Sequence, residues 1–393
     1  MIDLEQARTR AKEALARARA ADPTTPMRLA DAQREIAREL GYPSWPRLVR
    51  DVERFDPVAH EGVDWRKVRR LTVVPFLGGT DDVALLADGT RLVLPSGQVS
   101  RDEDLLVDAA TRIPLEAMGF RRQETHVLAR SRDRRHLVMW VDGYRYHGDR
   151  PHRRDAAWWT GPADDAVALL RANGDGALAE LVAAAEHARR NLTDEQYRID
   201  LQRLLDAAYL RAATPEGGSG FGGTPEEWRA ARSMLCDAIE TDGTFLDVGC
   251  ANGLLMESVV AWCAEKGVDV EPYGIDVSEP LVQRARERLP HWADRIWVGD
   301  ALDWVHPEGR RFDVVHVLLD AVRDARWRDM LDHLLGRVVA PGGRLLVSQY
   351  DQVTHDQHAA AVLTRLGYRV AGETRAPQQP GRPAGSPSAW IEA

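Results

Sequence analysis

Cysteine is scarce in this chain, with three in 393 residues. Cys236, Cys250 and Cys263 all lie in the C-terminal half, and their spacing matches neither a zinc site nor a disulfide framework. We therefore expect free thiols in a reducing compartment, the cytoplasm, and no metal centre.

Long apolar runs are missing as well. No stretch approaches the ~20 apolar residues that a membrane-spanning helix needs, and the first residues lack the apolar core of a signal peptide. Lysine occurs only at positions 12, 67 and 266, so arginine carries nearly all the positive charge. These absences argue against a membrane protein.

The charge is uneven along the chain. Residues 216–393 contain 27 acidic and 18 basic residues, whereas residues 1–215 contain 34 of each. Such an acidic C-terminal half is a poor partner for a phosphate backbone, so a nucleic-acid partner is not expected. The sequence predicts no oligomeric state.

The most informative stretch runs from Thr244 to Leu255. An apolar segment ends in Asp247-Val248-Gly249, then Gly253 precedes an amphipathic run to Trp262. This pattern predicts a strand, a tight turn and a helix, the opening of a βαβ unit. The spacing G-x-A-x-G fits the G-x-G-x-x-G fingerprint of an NAD site less well.

Four later stretches repeat the strand pattern in order. Two strands end in an acid, an apolar strand follows, and a glycine pair precedes the last one. They are Tyr273–Val277 with Asp276, Trp297–Ala301 with Asp300, Phe312–Leu318, and Pro341-Gly342-Gly343 before Arg344–Tyr350.

Together these motifs resemble a class I S-adenosylmethionine (SAM) methyltransferase over about residues 217–393, with Ala251 where the family usually has glycine. The resemblance implies an α/β fold, a Rossmann-like seven-stranded sheet with SAM over the carboxyl ends of its first strands. Asp247 and the Gly249–Gly253 loop would face the methionine half of SAM, Asp276 the ribose hydroxyls, and Asp300 with Ala301 the adenine. The full set of expected cofactor-binding residues is Asp247, Gly249, Cys250, Ala251, Asn252, Gly253, Asp276, Val277, Asp300, Ala301 and Leu318.

The acceptor site of such an enzyme follows the fourth and fifth strands. A base is needed there only if the acceptor is protonated. The candidates are His316, Asp320, Tyr350 and His355, of which Asp320, just past the fourth strand, is favoured. No N-P-P-Y-type motif follows that strand, which argues against methylation of amino groups on bases or glutamine.

Residues 1–56 predict a small helical module, and residues 57–160 contain β-prone runs around a stretch that resembles the Nudix box. Gly97, Glu103, Arg112 and Glu116 match that box. Ile113 and Ala117 replace two of its glutamates, one extra residue precedes Arg112, and Pro114 falls where its metal-bearing helix should be uninterrupted. We expect a Nudix-like α+β fold without hydrolase activity, since one remaining Glu116 is too few for Mg²⁺.

Residues 161–215 predict a helical connector, and residues 216–393 form the methyltransferase region. Five glycines between Gly217 and Gly223 indicate either a mobile linker or a lid over the cofactor. The function we expect is methyl transfer to a small-molecule acceptor. Two alternatives stay open, a non-catalytic SAM or nucleotide sensor and a protein or RNA methyltransferase whose front half recruits the substrate.

Overall fold

The computed structural model describes residues 2–57, 63, 65–78, 80–89, 91–101, 103–104, 108–122, 124–145, 157–349, 358–376 and 387–393. The chain divides into two compact units, Met1–Thr193 and Asp194–Ala393. The sequence predicts a domain boundary between residues 215 and 216, at the end of the helical connector. The structure instead includes the helix Asp194–Tyr209, predicted as part of the connector, in the second unit.

The first unit contains six described helices around a mixed sheet. The helices are α1 (Leu4–Ala21), α2 (Leu29–Glu39), α3 (Trp45–Val52), α4 (Ala110–Met118), α5 (Ala163–Ala172) and α6 (Gly176–Arg190). The strands are β1 (Phe55–Pro57), β2 (Arg70–Leu77), β3 (Asp82–Asp88), β4 (Arg91–Val93), β5 (Ser96–Gln98), β6 (Phe120–Arg122), β7 (His126–Ser131), β8 (His136–Arg145) and β9 (Trp158–Pro162).

The strands of the first unit pair in the order β1–β7–β8–β2–β3–β4, with β5 on β2, β6 on β8 and β9 on β3. The central pair β2–β8 is parallel, and the other pairs are antiparallel. Strand alternation turns Val74 and Phe76 of β2 towards α5 and α6, where they enter a buried cluster with Leu170 and Val182. Tyr42 and Leu48 form a smaller core in the helical module.

Two details of the first unit differ from the sequence expectation. Pro114 lies inside α4 and does not interrupt it, because the helix continues to Met118 and ends at Gly119 in a left-handed cap. Trp158 and Trp159 lie in β9, which pairs with β3, and not in an interdomain loop. Most of the aromatic stretch before them, residues 146–156, lies outside the described residues.

The second unit alternates strands and helices. Its helices are α7 (Asp194–Tyr209), α8 (Pro225–Arg232), α9 (Leu254–Ala264), α10 (Glu279–Arg288), α11 (Trp327–His333) and α12 (Ala359–Arg365). Its strands are β10 (Gly243–Val248), β11 (Val270–Asp276), β12 (Ile296–Val298), β13 (Phe312–Leu318), β14 (Val339–Ser348), β15 (Gly372–Thr374) and β16 (Ser388–Glu392).

These seven described strands form one sheet in the order β12–β11–β10–β13–β14–β16–β15. The first five run parallel, and β16 lies antiparallel between β14 and β15. Buried residues cover both faces, including Val315 and Leu345 on one side and Phe245 and Leu346 on the other. The carboxyl ends of the parallel strands therefore meet at one edge, where α/β folds bind ligands.

Helix bounds in the second unit differ slightly from those predicted. The sequence pattern predicts one helix over residues 225–239, but α8 ends at Arg232 and a 3₁₀ helix, Ser233–Ala238, follows it. The pattern also predicts a strand over residues 368–374, of which β15 covers only Gly372–Thr374. All three cysteines are buried free thiols, and no helix of the described chain is long and apolar enough to cross a membrane.

The glycine pair before β14 leads to a prediction about stability. A Cβ on Gly343 would lie 2.7 Å from the carbonyl oxygen of Asp313 on the neighbouring strand, whereas a Cβ on Gly336 would meet nothing within 4 Å. Gly343→Ala should lower the free energy of unfolding by about 1–3 kcal/mol, because backbone atoms must move. Gly336→Ala is the matched control and should unfold like the wild type. Scanning calorimetry of the three proteins is the measurement, and equal transition midpoints would contradict the prediction.

Candidate functional site

A cleft of about 370 Å³ opens at the carboxyl ends of β10, β11 and β13. One wall is α7, and the opposite side consists of loops that follow the strands. Its lining residues are Asp194, Glu195, Tyr197, Arg198, Leu201, Leu205, Tyr209, Ser219, Val248, Gly249, Ala251, Asp276, Val277, Gly299, Asp300, Ala301, Leu302, Leu318, Asp320, Ala321, Val322, Arg323 and Arg326.

The loop after β10 is folded tightly against the end of β11. The N–H groups of Gly249 and Cys250 both donate to the carbonyl of Ile275, at 2.8 and 2.9 Å. Gly249 has φ 86°, and a Cβ there would project into open space, so the backbone itself faces the cleft. Ala251 also has a positive φ, 47°, which is costly for a residue with a side chain.

Asp276 holds this loop in place. Its Oδ2 accepts from the N–H of Ala251 and its Oδ1 from the N–H of Ser278, both at 2.9 Å. The pKa of the Asp276 carboxyl is raised to about 6. Burial is the largest cause and the nearby acids Asp247 and Asp206 add to it, whereas the two backbone N–H groups lower the pKa. A carboxylate has about four acceptor positions, so two remain for a ligand.

Seven of the eleven residues expected to bind the cofactor line the cleft. They are Gly249, Ala251, Asp276, Val277, Asp300, Ala301 and Leu318. Asp320, the favoured acceptor-site residue, lines it too. The structure therefore brings most of these residues into one place, although they are spread over about 70 positions of sequence.

Asp247 does not line the cleft. It is buried and its Oδ1 lies 2.9 Å from Nδ1 of His316, whose Nε2 lies 3.1 Å from the Ser348 hydroxyl. Ser348 in turn lies 2.6 Å from the hydroxyl of Ser388. These four side chains form a buried hydrogen-bonded line across β10, β13, β14 and β16. His316, a candidate base in the sequence, is therefore a strand residue with both ring nitrogens engaged.

The other three expected residues shape the loop from behind. Cys250 packs with Met256 under the loop. The Asn252 amide donates to the Pro215 carbonyl at 2.7 Å and accepts from the Ser219 hydroxyl at 2.6 Å. Gly253 begins α9 with φ 77°. None of the three is among the residues that line the cleft.

The glycine-rich segment 217–223 packs against this loop. Gly218 approaches the Asn252 amide, Gly220 approaches the Tyr209 hydroxyl, and Ser219 lines the cleft. Phe221 packs edge-on against Trp228. The glycines therefore permit close contact with the loop after β10 and with α7.

Helix α7 is the part of the cleft that the sequence analysis missed. Its residues Tyr197, Leu201, Leu205 and Tyr209 recur every fourth position and all line the cleft. Such a row lies along one face of a helix. The row was visible in the sequence, but it reads equally well as a packing face of a connector.

Polar contacts anchor α7 along its length. Asp194 pairs with Arg323 at 3.1 Å and with Arg326. Gln202 donates to the Val277 carbonyl at 2.5 Å, and Asp206 accepts from the Ser278 hydroxyl at 2.5 Å. The helix is therefore tied to the loops that follow β11 and β13 and forms a built wall of the cleft.

The acceptor-side candidates differ in position. Asp320 is exposed in a 3₁₀ turn, Leu319–Ala321, and its carbonyl accepts from the Tyr197 hydroxyl at 3.4 Å. Tyr350 and His355 lie outside the described residues. Within the described residues, no group of three or more His, Cys, Asp or Glu side chains could hold a metal ion.

Comparison with known proteins is consistent with this geometry. Residues 245–343 match the methyltransferase domain family. No curated protein sequence matches the chain. Solved structures that resemble it include a SAM-dependent methyltransferase from Aquifex aeolicus, at 16% identity over 43% of this chain and 94% of that one, with a TM-score of 0.32.

Two further solved structures resemble a similar share of this chain. A SAM-dependent methyltransferase from Leishmania major is 14% identical over 53% of this chain and 89% of that one, with a TM-score of 0.39. The magnesium protoporphyrin IX methyltransferase from Synechocystis PCC 6803, solved with bound SAM, is 16% identical over 50% and 83%, with a TM-score of 0.30. Residues 245–343 of the second unit therefore match a methyltransferase domain, and its cofactor is S-adenosylmethionine.

Proposed function

We propose that this protein transfers a methyl group from SAM to a small-molecule acceptor held in the cleft of the second unit. The observation that carries the proposal is the anchored wall formed by α7. With Tyr197, Leu201 and Leu205 facing the strand ends, the cleft has the volume and the mixed apolar and polar lining of a small-molecule pocket.

The described residues fit the cofactor. Asp276 has acceptor capacity for the two ribose hydroxyls, and the open backbone at Gly249 leaves room for the methionine half. Asp300 and Ala301 line the cleft and would contact the adenine, and the Asp300 carboxylate accepts from the N–H of Leu302 at 2.9 Å. Asp247, Cys250, Asn252 and Gly253 would act indirectly, by holding the loop.

The chemistry requires alignment more than activation. SAM supplies an electrophilic methyl group on a sulfonium, so the protein has to orient the acceptor and exclude water. Tyr197 and Leu201 line the cleft from α7. Arg323, Arg326 and Asp320 line it from the segment that follows β13. Asp320 would take a proton from an acceptor that is protonated at working pH.

The Nudix-like interpretation of residues 57–160 is part of the proposal, as a non-hydrolytic scaffold or binding element. Arg112 engages Glu103 with two nitrogens, at 2.7 and 2.9 Å, and reaches Glu116 at 3.0 Å. The guanidinium lowers the pKa of Glu103 below its ordinary value. Both carboxylates are thus engaged by the same arginine, which supports a loss of metal-dependent hydrolysis.

The proposal predicts a pH dependence of cofactor binding. The ribose hydroxyls prefer the ionised Asp276, so affinity for S-adenosylhomocysteine should fall as pH drops through about 6, the raised pKa of that carboxyl. We expect a loss of roughly tenfold between pH 7.5 and pH 5.0. Calorimetric titration at several pH values is the measurement.

Asp276→Ala isolates the contribution of this carboxylate. The variant should bind S-adenosylhomocysteine about 1–3 kcal/mol more weakly at pH 7.5 and should lose the pH dependence. Asp294→Ala, a change at an exposed acid outside the cleft, is the control and should behave like the wild type. If Asp276→Ala bound as tightly as the wild type, the ribose assignment would be wrong.

The second prediction concerns the acceptor. A cell extract is separated by ultrafiltration into small molecules and macromolecules, and each fraction is incubated with SAM and the protein. The small-molecule fraction should support formation of S-adenosylhomocysteine. Turnover only with macromolecules would favour the protein or RNA alternative. Binding without turnover in either fraction would favour the sensor.

The third prediction tests Asp320 with any acceptor found in this way. For a protonated acceptor, Asp320→Asn should lower kcat by roughly 10²–10⁴-fold, with affinity for S-adenosylhomocysteine unchanged. Asp324→Asn, a nearby acid that does not line the cleft, is the matched control. Unchanged turnover by Asp320→Asn would remove this residue from the mechanism.

A further inference from the structure

A second cavity of about 350 Å³ lies within the first unit. This volume is at the lower end of the ~300–1,000 Å³ typical of small-molecule sites. The residues Glu103, Arg112 and Glu116, which resemble the Nudix box, do not line it. The cavity is therefore separate from the stretch on which the Nudix resemblance depends.

The cavity lies on the face of the sheet that α5 and α6 cover. Arg70 and Thr72 of β2 line it, and strand alternation places them on the same face as Val74 and Phe76. Those two residues pack against α5 and α6. The helical module supplies the remaining wall, so three parts of the first unit meet here.

Apolar side chains form most of the lining. They come from all three walls and include Ile2 and Val52 from the module, Val93 and Leu94 from the sheet side, and Leu178 and Leu181 from α6. A concave apolar surface of this size favours a ligand with an apolar body.

Two arginines at this cavity have no carboxylate partner among the described residues. Arg54 lies over the ring of Phe55 at 5.1 Å, and Arg70 donates to the Ser96 hydroxyl at 3.0 Å. Two acids line the cavity, and each pairs with an arginine other than Arg54 and Arg70. The first, Asp51, pairs with Arg47.

The second acid, Glu180, pairs with Arg171 at 2.9 Å. The charge left over at the cavity is therefore positive and comes from guanidinium groups, which bind carboxylates and phosphates well.

A half-buried imidazole adds a polar group near these arginines. Nε2 of His136 lies 2.8 Å from the Thr72 hydroxyl, whereas Nδ1 is buried without a hydrogen-bond partner in the described structure. Burial, with Arg54 and Arg70 nearby, lowers the pKa of His136 to about 4, so the ring is neutral at pH 7. A buried nitrogen without a partner is costly.

We propose that this cavity binds a small organic anion, an apolar chain or ring that carries one carboxylate. The apolar body lies among the leucines and valines, and the carboxylate is held by Arg54 and Arg70 beside His136. The first unit is thus a ligand-binding domain in its own right. This site is independent of the methyltransferase assignment, because all of these residues lie in the first unit.

The test is calorimetric titration of the 393-residue protein with three probes, which distinguish the contribution of the carboxylate from that of the apolar chain. Octanoate has both, 1-octanol lacks the charge, and acetate lacks the apolar chain. We expect octanoate to bind, and the other two probes to bind at least tenfold more weakly. Absence of octanoate binding, or equal binding of 1-octanol, would overturn the proposal.

Substitution of the cavity arginines tests whether octanoate binds in this cavity. Arg54→Met and Arg70→Met keep an apolar stem and should each weaken octanoate binding about fivefold to tenfold. Arg66→Met, an exposed arginine that does not line the cavity, is the matched control and should bind like the wild type. Unchanged affinity in both cavity variants, or an equal loss in the control, would show that octanoate binds elsewhere.

Discussion

The cleft of the second unit depends on the carboxylate of Asp276. Its two oxygens join the loops that follow β10 and β11 by accepting from the N–H groups of Ala251 and Ser278. Ser278 then donates its hydroxyl to Asp206 of α7. One buried acid thus sets the distance between the strand ends and the helical wall. Because it is buried, this acid keeps its geometry only while each oxygen retains a donor.

The parts of the fold that could be predicted from the sequence depend on local signals. β10, the turn at Gly249 and the start of α9 follow from an apolar run, a glycine and a helix period within about a dozen residues. β16, Ser388–Glu392, follows from a short apolar run after a stretch rich in proline and glycine. These features need no knowledge of distant partners.

The features that could not be predicted depend on contacts between distant residues. From the sequence, Tyr197 and Leu201 belong to the packing face of a connector helix. Only the structure shows that they line the same cleft as the ends of β11 and β13. His316 resembled a base because its partners Asp247 and Ser348 lie 69 and 32 positions away. Helix α4 likewise continues through Pro114, where Ile113, Pro114 and Leu115 are buried, and such packing is not described by helix propensity.

The position of β16 has a consequence for how the protein is made. This strand inserts between β14 and β15, and the Ser388 hydroxyl ends the buried line that starts at Asp247. A growing chain that stops short of residue 388 leaves the β14 edge unpaired, and exposed edges promote aggregation. During synthesis the second unit can therefore complete its sheet only after nearly all of its residues have left the ribosome.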